Sequence, residues 1–164
     1  MDVIELNSIE TYCRVFGLPF THPLVGVVEC NEPEKLKPYM MNWGFYALFL
    51  KDMASCTITY GKTHYDHGDK SIIAFAPGQV CMFEAIPGKD PKFVGVLFHP
   101  DFIHGTRLGR NILRYSFFAY SSNEALHLSP SEFQIIRNLI EIIKTELEMA
   151  TDNHTHDIIC DNIQ

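Results

Sequence analysis

The stretch WGFYALFLKDMASCTITYGKTHYDHGDKSIIAFAPGQVCMFEAIPGKDPKFVGVLFH, Trp43–His99, decides the fold. Within it SCTITY (Ser55–Tyr60) alternates: Cys56, Ile58 and Tyr60 face one way and Ser55, Thr57 and Thr59 the other. That period of two is the signature of a half-buried strand. SIIAFA (Ser71–Ala76) stops at Pro77-Gly78, QVCMFEA (Gln79–Ala85) stops at Pro87-Gly88, and KFVGVLFH (Lys92–His99) runs into Pro100. WGFYALFL (Trp43–Leu50) is apolar at both parities, as a strand covered on both faces would be. LVGVVEC (Leu24–Cys30), upstream, reads as one more strand. Strands in series, with turn signals roughly every 8–12 residues and no helical pattern between them, imply an antiparallel barrel or sandwich rather than βαβ units.

Outward from this core, Ser8–Gly17 reads as a short helix, capped by Ser8 and ended by Gly17. Asn31–Pro38 and His64–Asp69 read as loop and turn. Asp101–Leu113 reads as short helical or irregular structure, and Arg114–Ala125 as an aromatic loop with Tyr115, Phe117, Phe118 and Tyr120. At Ser129 the period switches. Ser129-Pro130-Ser131-Glu132 is a capping box with proline at the first helical position. Phe133, Ile136, Ile140, Ile143 and Leu147 form one apolar stripe, and Ile135, Leu139 and Ile142 a second beside it. One stripe can pack on the sheets while the other meets a second surface. Arg137/Glu141 and Lys144/Glu148 are spaced to pair along the wet face. Thr151–Asn153 breaks the helix, and Asp152 can cap a second one carrying Ile158, Ile159 and Ile163. That pattern is still apolar at Gln164, so the chain reads as a piece of a longer protein.

Length and charge narrow the function classes. A chain of 164 residues suits one domain with a sizeable core. Its net charge is −7, of which residues 130–164 carry −5. A dedicated nucleic-acid surface would be basic. No apolar run approaches a membrane span. MDVIELNSIE has neither the basic nor the apolar region of a signal peptide. Cys13, Cys30, Cys56, Cys81 and Cys160 are odd in number and widely spaced, which fits reduced thiols and a cytoplasmic location.

The chemistry-bearing residues do not form an enzyme's pattern. Metal-dependent barrels need His and Glu ligands converging on one strand face. Here His64 and His67 sit in a turn, His99 ends a strand, and the one His-x-His, His154–His156, lies in the tail, where its side chains diverge on a helix. Glu84 is a lone polar strand residue. There is no GxSxG elbow, no GxGxxG and no phosphate-binding lysine loop. The reading is no catalytic residues, no metal and no cofactor. What remains is a pocket inside the sheets, where a small ligand could sit. Its candidate lining is Trp43, Phe45, Tyr46, Tyr60, Phe83 and Phe93, with His22, His64, His67, Glu84 and His99 as polar candidates.

The order of short motifs resembles the N-terminal half of AraC-type transcription regulators. The residues that carry it are His22-Pro23-Leu24, Tyr46–Lys51, Tyr60-Gly61, Gly68-Asp69 leading to Ser71–Phe75, and Pro77-Gly78-Gln79. Leu97–Phe102, Phe117–Tyr120 and Leu126–Glu132 complete the set. The resemblance implies a mainly β fold with C-terminal α: a small antiparallel cupin-like, jelly-roll type barrel over residues 1–128, then one or two dimerisation helices over 129–164. It further implies that DNA is bound only by a separate helix-turn-helix domain that residues 1–164 do not include. Sugar-responsive members place polar and indole groups at positions that match Cys81, Phe83, Phe93 and Gly95. Those residues offer a sugar few hydrogen-bond partners, so the effector expected is apolar or aromatic.

The leading expectation is therefore a ligand-sensing and dimerisation domain, self-associating through the 130–150 helix by Ile135, Leu139, Ile142, Ile136 and Ile143, with no membrane partner. The rivals are a metal-dependent cupin enzyme, a dioxygenase or isomerase, and a ligand-free structural dimerisation module.

Overall fold

The computed structural model describes residues 2–30, 39–53, 55–64, 68–90, 92–118, 125–149 and 153–164. The expected loop at 31–38, His67, Tyr120 and the capping role of Asp152 lie outside the described residues.

Among the described residues ten strands form two facing five-stranded sheets. The first, sheet A, contains β1 (Val3–Leu6), β3 (Tyr39–Trp43), β8 (Val80–Ala85), β5 (Cys56–Tyr60) and β6 (Thr63–His64), in that spatial order. The second, sheet B, runs β10 (Leu126–His127), β7 (Ser71–Phe75), β4 (Tyr46–Lys51), β9 (Phe93–Phe98) and β2 (Val25–Cys30). All pairings are antiparallel except β1 with β3, which is parallel. The pairings do not close into a ring among the described residues. The architecture is thus two facing sheets with C-terminal helices, and the closed cupin-like barrel is the part of the expectation that the pairing does not supply.

The apolar run Trp43–Leu50 is not one strand. β3 ends at Trp43, the chain turns at Gly44-Phe45, and β4 begins at Tyr46 in the other sheet. Gly44 makes this corner possible. Its N–H donates to the Leu6 carbonyl at 2.9 Å, and a Cβ there would fall 2.6 Å from that same oxygen. A side chain would prise the corner off the end of β1.

The helix signals hold. α1 (Ile9–Phe16) starts where the Thr11 N–H donates to Ser8 Oγ at 3.1 Å and ends at Gly17, whose φ of 62° an L side chain resists. α4 (Pro130–Glu148) opens with the full capping box: Glu132 N–H donates to Ser129 Oγ and Ser129 N–H to Glu132 Oε2. Between the sheets and α4 the chain makes α2 (Pro100–Ile103), α3 (Arg107–Asn111) and two single 3₁₀ turns, Ile112–Arg114 and Ser116–Phe118. α5 (Asn153–Ile163) packs on α4.

Two apolar layers result. One lies between the sheets and includes Leu6, Trp43, Phe45, Phe49, Ile58 and Phe75. The other lies on the outer face of sheet B, where Tyr46, Leu50, Val96 and Phe98 meet Phe133, Ile140 and Ile143 of α4 and Ile159 of α5. Sheet B is covered on both faces, which is why β4 and β9 read as apolar at both parities. Lys144 ties α4 to β2 through Glu29, with Nζ 3.2 Å from Oε1, rather than pairing along its own helix with Glu148.

Candidate functional site

Strand parity decides what the space between the sheets holds. Successive residues of a strand face opposite ways. In β4, Ala47 and Phe49 belong to the inner layer, Tyr46 and Leu50 to the outer. Lys51 continues the inner series, so a lysine is carried inward. Opposite it across the gap stands Cys56, which leads β5 of sheet A. Gly95 of β9 pairs with Phe49 and leaves room for its ring, since a Cβ there would lie 2.5 Å from Phe49 Cδ1.

Phe49, Lys51 and Cys56, with Trp43, Phe75, Phe83 and Phe93 from the strands and Tyr12 and Phe16 from α1, line a cavity of about 40 Å³. That space admits about one or two waters, whereas small-molecule pockets run to roughly 300–1,000 Å³. The walls are aromatic. Trp43 stacks on Phe75 at 4.7 Å between centroids and 2° between planes. Tyr12 lies 5.8 Å from Trp43, so α1 forms one wall of the cavity.

Two residues of this lining, Lys51 and Trp43, carry nitrogen donors. The Lys51 side chain is buried, the residue being 5% exposed, and its Nζ donates to Cys56 Sγ at 2.8 Å. Among the described residues no carboxylate stands within ion-pair range of it. A thiol is a weak acceptor, and an amino group buried without a counter-charge is costly. Trp43 is 1% exposed, and its buried Nε1–H has no hydrogen-bond partner among the described residues. Of the two donors, one is thus served only by a thiol and the other is without a partner among the described residues.

Nucleophilic chemistry has little support in the buried thiols. Burial pushes Cys81 up to about 12 and raises Cys13; burial, then Asp157 and Asp161, pushes Cys160 up to about 11. These stay thiols rather than reactive thiolates at neutral pH. Among the described residues no three His, Cys, Asp or Glu side chains gather as a metal set. No helix among them is long and apolar enough to cross a membrane.

The candidates read from sequence scatter. Trp43, Phe83 and Phe93 line the cavity. Phe45 packs edge-on against Trp43, 5.7 Å away and behind the wall, and Tyr60 is half-buried at the margin of the same layer. Five candidates lie away from this cavity. Tyr46 has outer parity and stacks on Phe98 under the helices. Glu84 is exposed on β8. His22 stands beyond the end of β2, against Phe102. His64 is exposed on the short strand β6, and His99 caps α2. Lys51, Tyr12, Phe16, Phe49 and Phe75 were not among the candidates. Parity within Ala47–Lys51 was the signal for Lys51.

The α4 candidates divide in the same way. Ile143 is 1% exposed and, with half-buried Ile136, packs on sheet B within the chain, so these two are not free to meet another molecule. Ile135 is 57% and Ile142 44% exposed. Leu139 is half-buried at the rim of an apolar crevice of about 200 Å³ between α4, α5 and sheet B.

No protein-family model matches the chain, and no curated protein matches it. Among solved structures, the chain is similar to apo ToxT from Vibrio cholerae, in a single-residue variant, with TM-score 0.46, 10% identity, and coverage of 85% of this chain and 52% of that one. It is also similar to a second ToxT structure from Vibrio cholerae, with TM-score 0.47, 14% identity and the same coverages. The chain spans about half the length of these structures.

Proposed function

We propose that this chain is the ligand-sensing and dimerisation part of a transcription regulator, and that its effector is a small, largely apolar or aromatic molecule bearing an acid group. The observation that carries the ligand class is the pair of buried nitrogen donors, Lys51 Nζ and Trp43 Nε1–H, on residues that line a largely apolar cavity. A carboxylate would supply the counter-charge that Lys51 lacks and an acceptor for Trp43 Nε1–H. The regulator reading rests on the ordered motifs from His22-Pro23-Leu24 to Leu126–Glu132. DNA contact falls to a domain beyond residues 1–164, since the segment that follows the sheets is acidic.

A cavity of about 40 Å³ must widen to admit such a ligand. α1 is the wall that can give. It is eight residues long and presents Tyr12 and Phe16 to the cavity, while the other walls are strands locked in two sheets. Effector entry then repositions α1 and strains sheet B, whose opposite face seats α4. The exposed Ile135 and Ile142 make α4 the contact between two copies. A ligand shifts such an equilibrium only by its differential affinity for the two arrangements.

The test is a thermal-shift series of aryl- and alkyl-carboxylic acids beside their matched primary alcohols. At about 100 times its dissociation constant a ligand adds about 2.7 kcal/mol, which for a chain of this size is about 5–10 °C. Acids are expected to raise the midpoint and alcohols to leave it. An equal response to both, or none to either, would remove the acid-binding role. Metal analysis of the purified protein separates this from the cupin enzyme: stoichiometric iron, zinc or manganese would favour the enzyme.

A further inference from the structure

A repeated tripeptide frames one end of sheet B. His22-Pro23-Leu24 leads into β2, and His99-Pro100-Asp101 leaves β9. β2 and β9 are paired, Val25 opposite Phe98, and the His99 N–H donates to the Leu24 carbonyl at 2.8 Å. The two tripeptides are therefore neighbours in space. Both fold alike. The Leu24 N–H donates to His22 Nδ1 at 3.1 Å, and the Asp101 N–H donates to His99 Nδ1 at 3.1 Å. Proline has no N–H, so the next amide is the first that the ring can cap. An Nδ1 that accepts a backbone N–H carries no proton, so this bond and a proton on Nδ1 exclude one another.

A third imidazole reaches the same place from α5. His156 Nε2 lies 2.6 Å from the Phe102 carbonyl, which can only accept, so His156 donates. The Phe102 ring sits 4.5 Å from His156 and 6.1 Å from His22, centroid to centroid. The bond from His156 and the packing on Phe102 seat α5 on α2.

The three rings respond differently to a proton. His156 keeps its donor bond when charged, and Asp157 Oδ1 stands 3.6 Å from its Nδ1. His99 has Asp101 Oδ2 at 3.4 Å from Nδ1, a carboxylate ready to take up its charge. His22 has no such partner among the described residues and would lose its bond to Leu24. The other ionisable groups around α5 do not supply one. Cys160 Sγ is 3.9 Å from His156, and Asp161 acts on Cys160. Arg110 of α3 is held on the Gly105 carbonyl. Beyond Thr21, Glu29, Lys144 and Glu148 border a separate groove.

We propose that His22 is a proton-binding site that governs the seating of α5: uptake of a proton at His22 Nδ1 breaks the cap on Leu24, places a positive charge beside Phe102 and His156, and loosens α5 from α2. This input is separate from the effector cavity and does not depend on the ligand proposed there. Burial and then His156 hold the imidazole of His22 below its ordinary range. The sign follows: the neutral ring's contribution is complete above the ordinary imidazole pKa and is lost as pH falls through the lowered value.

The experiment combines two readouts on the whole chain. Nuclear magnetic resonance of the imidazole nitrogens gives tautomer and titration point for His22, His99 and His156. Amide hydrogen exchange of α5, corrected for the intrinsic pH effect, is compared at about pH 7.5 and about pH 5, the range over which imidazoles change charge. In the wild type His22 is expected as the Nε2–H tautomer titrating below the free imidazole value, with α5 opening more often at the lower pH, by tenfold for each unit of depression that the titration measures. His22→Asn keeps an acceptor for Leu24 but takes up no proton there, and should show less than about a third of that change. An undiminished change in His22→Asn, an unchanged α5, or a His22 that titrates normally or carries its proton on Nδ1 would each overturn the proposal. Should His22→Asn fail to fold, the wild-type titration and tautomer decide alone.

Discussion

Lys51→Met is the substitution on which the site's energetics turn. Met keeps the length of the buried stem and removes the amino group. The loss is one hydrogen bond, Nζ to Cys56 Sγ at 2.8 Å, at about 1 kcal/mol or less since sulfur accepts weakly. The gain is relief from burying an amino group whose one acceptor is a thiol, about 1–3 kcal/mol for a poorly satisfied buried polar group. The balance is a stabilisation of the empty protein by about 1–2 kcal/mol, or about 3–6 °C in midpoint for a chain of this length. The bound protein should move the other way, because the carboxylate loses its partner and the ligand-induced shift disappears. Thermal and urea melts of wild type and variant, each with and without the best acid from the thermal-shift series, give all four values. A variant less stable than wild type when empty, or one that keeps the acid-induced shift, would refute the view that Lys51 is a strained, ligand-directed group.

Three other outcomes follow from the geometry. Gly44→Ala drives a Cβ to 2.6 Å from the Leu6 carbonyl; the corner must open at about 1–3 kcal/mol, seen as a lowered midpoint and faster exchange of the β1 amides. Ile135→Asp with Ile142→Asp, at positions 57% and 44% exposed, should leave the midpoint nearly unchanged and halve the mass measured by sedimentation; a wild type that is already a monomer would refute the α4 interface. Ser129→Ala removes the cap at about 1 kcal/mol, read as a lowered midpoint. The backbone and side chain of Ser129 hold the Glu132 carboxyl below the ordinary range, so the box's contribution is complete above that range and fades as pH falls through the lowered value; Glu132→Gln should flatten this acid limb of the melting curve.

Where a local rule sufficed, sequence and structure coincide. Ser8 and Gly17 bound α1, Ser129–Glu132 opens α4, and the alternation of Cys56–Tyr60 places its faces, because caps and pleats are set by neighbours in the chain. What was not legible depends on distant partners. β1 is four residues long and exists by parallel pairing with β3. The corner at Gly44-Phe45 hides inside Trp43–Leu50, since both flanking strands are apolar. A lone glycine in such a run was the available signal. Lys51 was passed over because a charged residue closing an apolar strand normally reaches water, whereas here its parity turns it inward. His22 and His99 were read singly; their kinship as twin His-Pro turns emerges only once β2 and β9 are paired.

β4 carries Leu50 and Lys51 side by side, one lining the crevice under α4 and the other the aromatic cavity. A single peptide unit thus stands between two compartments, and tilting it would reshape both. Coupling through such a partition is reciprocal. If an acid drawn to Lys51 alters how firmly α4 is held, then clamping α4 against a second copy must alter the acid's affinity by the same factor. The concentration of the protein itself would then set how sensitively it measures its ligand.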